Sequence, residues 1–245
     1  MWGVAAFSGD DIFEVIAGHR DDVAIVTLAP ELPGGLDLVR SLAAMGPLVS
    51  VGHSAADFET ALAAFDAGAR HATHLFNRMP PLGHREPGLA GAVLSRADVT
   101  AELICDGFHV HPSMIRLAID RKGPAAIVAI SDGTAGAGMP VGGCARLGGR
   151  RITVGKDAAF LDDGTLAGST LTLDGAFRML VGRAGQSVFD AAAMCATSPA
   201  RALRLDDRGV IAPGALADLV LLDRNSHVRH TWIGGQSAFS REPVA

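Results

Sequence analysis

Short apolar runs that keep stopping, with amphipathic stretches between them, limit this chain's fold more than any other feature. The runs cover residues 23–28 (VAIVTL), 48–51 (LVSV), 71–76 (HATHLF), 99–104 (VTAELI) and 126–130 (AIVAI). Runs of this length, bounded by Gly, Pro or polar residues, suit strands buried in a parallel sheet. Between them, residues 36–45 and 112–121 have helical patterns, the second with Pro112 near its first turn. A third helix is expected after Ser54, read as its N-cap, with Asp57 in the first turn. Phe58, Leu62 and Phe65 would share one face, and Gly68 would end it. Strand alternating with helix implies right-handed βαβ units. After residue 150 the pattern changes. Residues 151–168 read as short antiparallel strands around an Asp163-Gly164 turn, 170–183 and 188–203 as helices, and 209–236 as strand, turn and strand.

Composition narrows the function classes. A 49% hydrophobic, 19% charged chain of 245 residues is expected to be globular, and its apolar runs are too short to span a membrane. A net charge of −5 without a basic stripe argues against nucleic acid or an anionic membrane as partner. Cys105, Cys144 and Cys195 lack metal-type spacing and read as free thiols of a reducing, cytoplasmic setting. The opening MWGVAAFSGDD shows no basic n-region of a signal peptide.

In parallel α/β folds, chemistry gathers beyond the carboxyl ends of the strands. Those positions here carry Glu31, His53, His74, Asp106 through His109, and Asp132, a polar set that core packing does not require. Either histidine alone reads as an ordinary loop residue. Arriving from neighbouring strands with Asp132 in the same ring, the pair points to a shared divalent cation, since imidazole is the usual nitrogen ligand of zinc. Asp132 would then be placed to move a proton from water to a leaving group, although Asp-Gly is also an ordinary turn.

The stretch HSAADFETALAAFDAGARHATHLFNRMPPLGHREPGLAGA, followed by ICDGFHVHP, SDGTAGAGMP, LAGSTLTL and TSPARAL, resembles the N-acetylglucosamine-6-phosphate deacetylases of the amidohydrolase superfamily. The resemblance runs from about residue 23 to the end. It implies an α/β fold: an incomplete (β/α)8 TIM-type barrel over residues 1–205, with residues 206–245 forming the C-terminal part of a small β domain. The activity implied is hydrolysis of the N-acetyl amide of N-acetylglucosamine 6-phosphate to glucosamine 6-phosphate and acetate. By the same resemblance, His53 and His74 are metal ligands and Asp132 is the general base and acid. Asn77, Arg78, Arg85, Asp106, His109, Ala167, Gly168 and Ser169 are implied substrate-binding positions. Arg85 and His109 would meet the phosphate, with Arg85 reaching the neighbouring site of a homodimer. One zinc ion is the first expectation, with iron, manganese or cobalt as alternatives.

The family's upstream HxEGP motif, whose glutamate completes the metal site, does not occur in these 245 residues, nor does the Lys-Gly-(small)-His element that follows it. An N-terminally truncated member is therefore expected, poorly stable or oligomeric by itself and slow or inactive, because five or six strands cannot close an eight-stranded barrel. Glu31 as a replacement ligand ranks low, since LAPE has its own place in the family pattern. Two other functions stay open: another amidohydrolase, or a catalytically incomplete sugar-phosphate-binding remnant.

Overall fold

The computed structural model describes residues 9–241. Residues 1–8, which hold most of the segment read for a signal peptide, lie outside the described residues, as do residues 242–245 of the expected β domain. Two compact units divide the chain, Met1–Glu102 and Leu103–Ala245.

The first unit opens with α1 (Gly9–Gly18) and then alternates: β1 (Ile25–Leu28), α2 (Gly35–Met45), β2 (Leu48–Val51), α3 (Phe58–Asp66), β3 (His71–Ala72), α4 (Gly88–Ser95) and β4 (Thr100–Ile104). Strands β1 to β4 pair in parallel and in sequence order, as βαβ crossovers require. Val39, Leu42, Val49, Val51, Phe65, Ala72, Leu89 and Ala101 are buried and form the core of this unit. One strand departs from the expectation of burial. In β1 exposed and half-buried residues alternate, because it lies at the edge of the sheet.

Two local readings need correction, and one helix went unread. The cap of α3 is Asp57 and not Ser54: Asp57 has an extended backbone and its side chain accepts the Thr60 N–H at 2.8 Å. Strand β3 stops after two residues, because His74 (φ 31°) and Phe76 (φ 76°) take left-handed backbone conformations that no ladder accommodates. Helix α4 had no amphipathic signal to find. Five of its residues, Gly88, Leu89, Ala90, Ala92 and Val93, are buried, so GLAGAVLS is apolar nearly all round.

In the second unit come α5 (Pro112–Lys122), β5 (Ile127–Ile130) and three antiparallel strands, β6 (Cys144–Leu147), β7 (Arg150–Val154) and β8 (Ala159–Leu161). Strand β6 was not expected, since its CARL sequence is mostly exposed and forms no apolar run. Past β8 the Asp163-Gly164 turn closes as expected, with the Gly164 N–H on the Leu161 carbonyl at 2.9 Å. Helices α6 (Leu173–Gly182), α7 (Val188–Ala192) and α8 (Ser198–Ala202) follow, the last two joined by a π-helical turn at Ala193–Thr197. Strands β9 (Leu219–Leu222), β10 (Val228–Ile233) and β11 (Gln236–Ser240) form an antiparallel sheet in the order β11-β10-β9.

Strands β1 to β5 lie in one sheet, in the order β1-β2-β3-β4-β5. This is the partial parallel sheet of an α/β barrel, with its small β element. Among the described residues no helix is long and apolar enough to cross a membrane.

Candidate active site

Register explains why the two histidines meet. Val51 lies opposite Ala72 in the parallel β2–β3 pair, so two residues further on His53 falls level with His74. Between them the strand ends approach closely: a Cβ on Gly52 would lie 2.6 Å from the Thr73 Cβ. The two rings come to 4.6 Å between centroids, tilted by 59°. Both residues hold left-handed backbone angles, φ 48° at His53 and φ 31° at His74. Each such non-glycine conformation costs about 1–3 kcal/mol, which persists only where neighbouring contacts over-determine it. Here those contacts are visible. Glu31 accepts the Ser54 hydroxyl at 2.6 Å and the Ala55 N–H at 2.5 Å, tying down the loop after His53. Glu102 accepts the His74 N–H at 3.3 Å.

His74 is 4% exposed, and its Nδ1 is a buried atom without a hydrogen-bond partner. Leaving such a nitrogen unsatisfied costs about 1–3 kcal/mol, which a cation at the lone pair would relieve. The pair therefore fits two of the three protein ligands of a catalytic zinc. No group of three His, Cys, Asp or Glu residues able to hold a metal occurs among the described residues. Glu31 spends both carboxylate oxygens on the Ser54–Ala55 loop.

On the same unit, Asn77 donates weakly to the Leu75 carbonyl at 3.4 Å and Arg78 is exposed with φ 50°. Arg85 is exposed and forms no ion pair with Glu86 or any other described residue. His84 is exposed too.

The second unit brings two predicted groups together. Asp132 follows β5 at φ 48°, and its carbonyl accepts the Ser169 N–H at 3.1 Å. The Thr134 N–H returns to the Ser169 carbonyl at 3.3 Å, and a Cβ on Gly168 would run into the Thr134 side chain. Residues 167–169 are thus clamped along the Asp132 loop, with the Asp132 side chain left exposed. The other pair is Asp106 with His109. Asp106 accepts the Phe108 and His109 N–H groups, both at 2.8 Å, and meets the His109 Nδ1 at 2.5 Å. That fixes the ring with Nδ1 as donor, leaving a buried Nε2 without a partner. His111, given no role by its sequence, caps α5 by accepting the Ser113 N–H at 3.2 Å.

Burial pushes the Asp106 carboxyl up, but the bonds from the His109 ring and from the Phe108 and His109 amides outweigh it, so its pKa is lowered. A depressed pKa contributes stability above the ordinary carboxylate value of about 4 that is lost as pH falls. Asp106→Asn is accordingly expected to lower the melting temperature more at pH 7 than at pH 3. Melts of both proteins at the two pH values check this.

Sequence reasoning missed two residues here. Arg183, just past α6, brings its guanidinium to 2.7 Å from where a Cβ on Gly107 would stand, so it covers the turn that presents His109. It sits in an ordinary helical pattern far along the chain, which gave no signal. Glu102 was hidden inside the β4 run.

Residues 15–238 match the Amidohydrolase family. The chain is 38% identical over 224 residues to the N-acetylglucosamine-6-phosphate deacetylase of Lysinibacillus sphaericus, covering 91% of this chain and 57% of that protein. It is 40% identical over 233 residues to the N-acetylgalactosamine-6-phosphate deacetylase of Escherichia coli, covering 93% and 60%. Among solved structures, the N-acetylglucosamine-6-phosphate deacetylase of Pasteurella multocida superposes with a TM-score of 0.89 at 30% identity, over 96% of this chain and 61% of that one. A Mycobacterium smegmatis mutant enzyme in complex with N-acetyl-D-glucosamine-6-phosphate gives 0.88 at 37% identity, over 94% and 61%. The chain thus spans 57% to 60% of the length of these two curated relatives. Since the match takes in all five parallel strands and every residue discussed at their ends, the chain belongs to the amidohydrolase family.

Proposed function

We propose that this chain acts in metal-dependent hydrolysis of the N-acetyl group of an N-acetylated amino sugar 6-phosphate, N-acetylglucosamine 6-phosphate first. The observation that carries the reading is the His53–His74 pair, 4.6 Å apart with one buried nitrogen unpartnered. The relatives' names supply the substrate class.

His53 and His74 would hold one divalent ion, zinc before iron, manganese or cobalt. When bound, such an ion supplies Lewis acidity. Asp132 takes a proton from water as the water oxygen bonds to the acetyl carbon. The same proton passes to the sugar nitrogen as the C–N bond breaks, so that an amine leaves and acetate forms. Residues 167–169, clamped beside Asp132, would lie along the sugar, with Asn77 and Arg78 binding it. A phosphate dianion suits the unpaired guanidinium of Arg85 and the free Nε2 of His109. An exposed Arg85 also suits a homodimer in which it reaches the neighbouring site. A cytoplasmic enzyme is the setting that phosphorylated sugars favour.

The test is acetate release by the purified chain with zinc, on both epimeric N-acetylhexosamine 6-phosphates and on the unphosphorylated sugars. Slow turnover of a phosphorylated sugar, abolished by a chelator, is expected, since the described residues supply two of the three usual protein ligands. Arg85→Ala should raise KM for it roughly 10- to 150-fold, the worth of a hydrogen bond to a charged group. Equal rates with and without the phosphate would overturn the substrate class. A second reading, binding without turnover, is favoured by the lack of a three-group metal cluster among the described residues. It predicts sugar-phosphate affinity with no acetate released.

A further inference from the structure

We infer that Glu102 is a positioning residue for His74, acting with His71 as a bracket behind the metal ligand; the inference rests on the metal reading of the His53–His74 pair. Three contacts define the bracket. One carboxylate oxygen of Glu102 meets the His71 Nε2 at 3.1 Å, and the other accepts the His74 N–H at 3.3 Å. The Glu102 carbonyl also accepts the Leu75 N–H at 2.8 Å, so one residue grips the chain on both sides of the His74 carbonyl.

His71 is held from its other edge as well. Its Nδ1 meets the Thr100 hydroxyl at 2.5 Å, and Thr100 lies opposite His71 in the β3–β4 register. With both nitrogens engaged and the side chain 3% exposed, the ring cannot turn, and it fixes the Glu102 carboxylate in turn. The bracket does more than satisfy buried atoms. It ends on the amide of the residue whose Nδ1 is unpartnered and whose φ of 31° needs external support. It also places a carboxylate, 17% exposed, behind a site for a dication.

Glu102→Gln keeps the shape but removes the charge and turns one acceptor into a donor, so the His71 contact survives only if the His71 Nε2 becomes the acceptor. In the whole chain, zinc titration should show affinity roughly 10- to 100-fold weaker, the usual loss when a ligand's supporting partner is removed. In the metal-free protein the His74 amide should exchange with solvent faster, a readout independent of zinc and of turnover. His71→Ala should reproduce both effects, and the double variant should be no worse than either single one, because the groups act as a unit. If Glu102→Gln fails to fold, Thr100→Val frees the same ring from its far side and should weaken zinc severalfold. Wild-type zinc affinity and wild-type His74 exchange in a folded variant would overturn the bracket alone. A wild-type chain that binds no zinc would overturn the metal reading and the bracket's purpose with it, even if exchange at His74 still quickens.

Discussion

Asp132→Asn is expected to stop acetate release while leaving both the cation and the sugar phosphate bound. The amide is nearly isosteric with the carboxylate but cannot take a proton from water, and loss of a general base lowers kcat by about 10²- to 10⁴-fold. Nothing else about the residue should change. Its clamp to Ser169 runs through main-chain atoms, and its side chain is exposed and packs no core. Its φ of 48° is one that asparagine tolerates better than most residues, so the substitution adds no backbone strain. The expected pattern is a collapsed kcat with KM and zinc affinity near wild type. Lost zinc binding would instead make Asp132 a ligand, and undiminished turnover would remove it from the reaction.

The sequence carried the strand ends well because two independent signals coincide there. Apolar runs stop at Val51 and Ile130, and the polar residue that chemistry wants follows within two places, at His53 and Asp132. Parallel pairing then makes neighbours of residues a full βα unit apart, as the Val51–Ala72 register does for His53 and His74. Contacts that depend on three-dimensional approach left no such trace. Ser54 resembled a helix cap until its hydroxyl was found on Glu31, with Asp57 doing the capping. Helix α4 and strand β6 were illegible for opposite reasons, one buried nearly all round and the other mostly exposed. Glu102 read as one polar residue in an apolar run, and Arg183 as part of a helix. The left-handed backbones at His53, His74 and Asp132 are the clearest case. His and Asp take a positive φ more often than most residues but still too rarely for the type alone to announce it, and three of the seven non-glycine examples among the described residues fall on them. Strain concentrated there agrees with positions held for function at a local cost.

Gly52→Ala should produce the largest effect of any substitution outside the reacting groups. Gly52 is not in a positive-φ conformation, so the requirement for glycine is spatial. An added methyl would stand 2.6 Å from the Thr73 Cβ, 3.1 Å from its Oγ1 and 3.3 Å from the Thr27 Cγ2. Thr73 cannot swing away freely, because its hydroxyl is shared with Ser50 at 2.7 Å and Thr27 at 2.9 Å. Relief must come from the strand ends moving apart, at an overpacking cost of about 1–3 kcal/mol. Those ends carry His53 and His74, and a misplacement near 1 Å can cost about 10²-fold in rate. Zinc affinity and kcat/KM are therefore expected to fall together by roughly 100-fold, with a lowered melting temperature. The cause can be isolated by adding Thr73→Gly, which removes the atom struck: the double variant should regain part of the zinc affinity even though it loses the hydroxyl contacts. If the single variant binds zinc like the wild type, the spacing of β2 and β3 does not set the histidine pair.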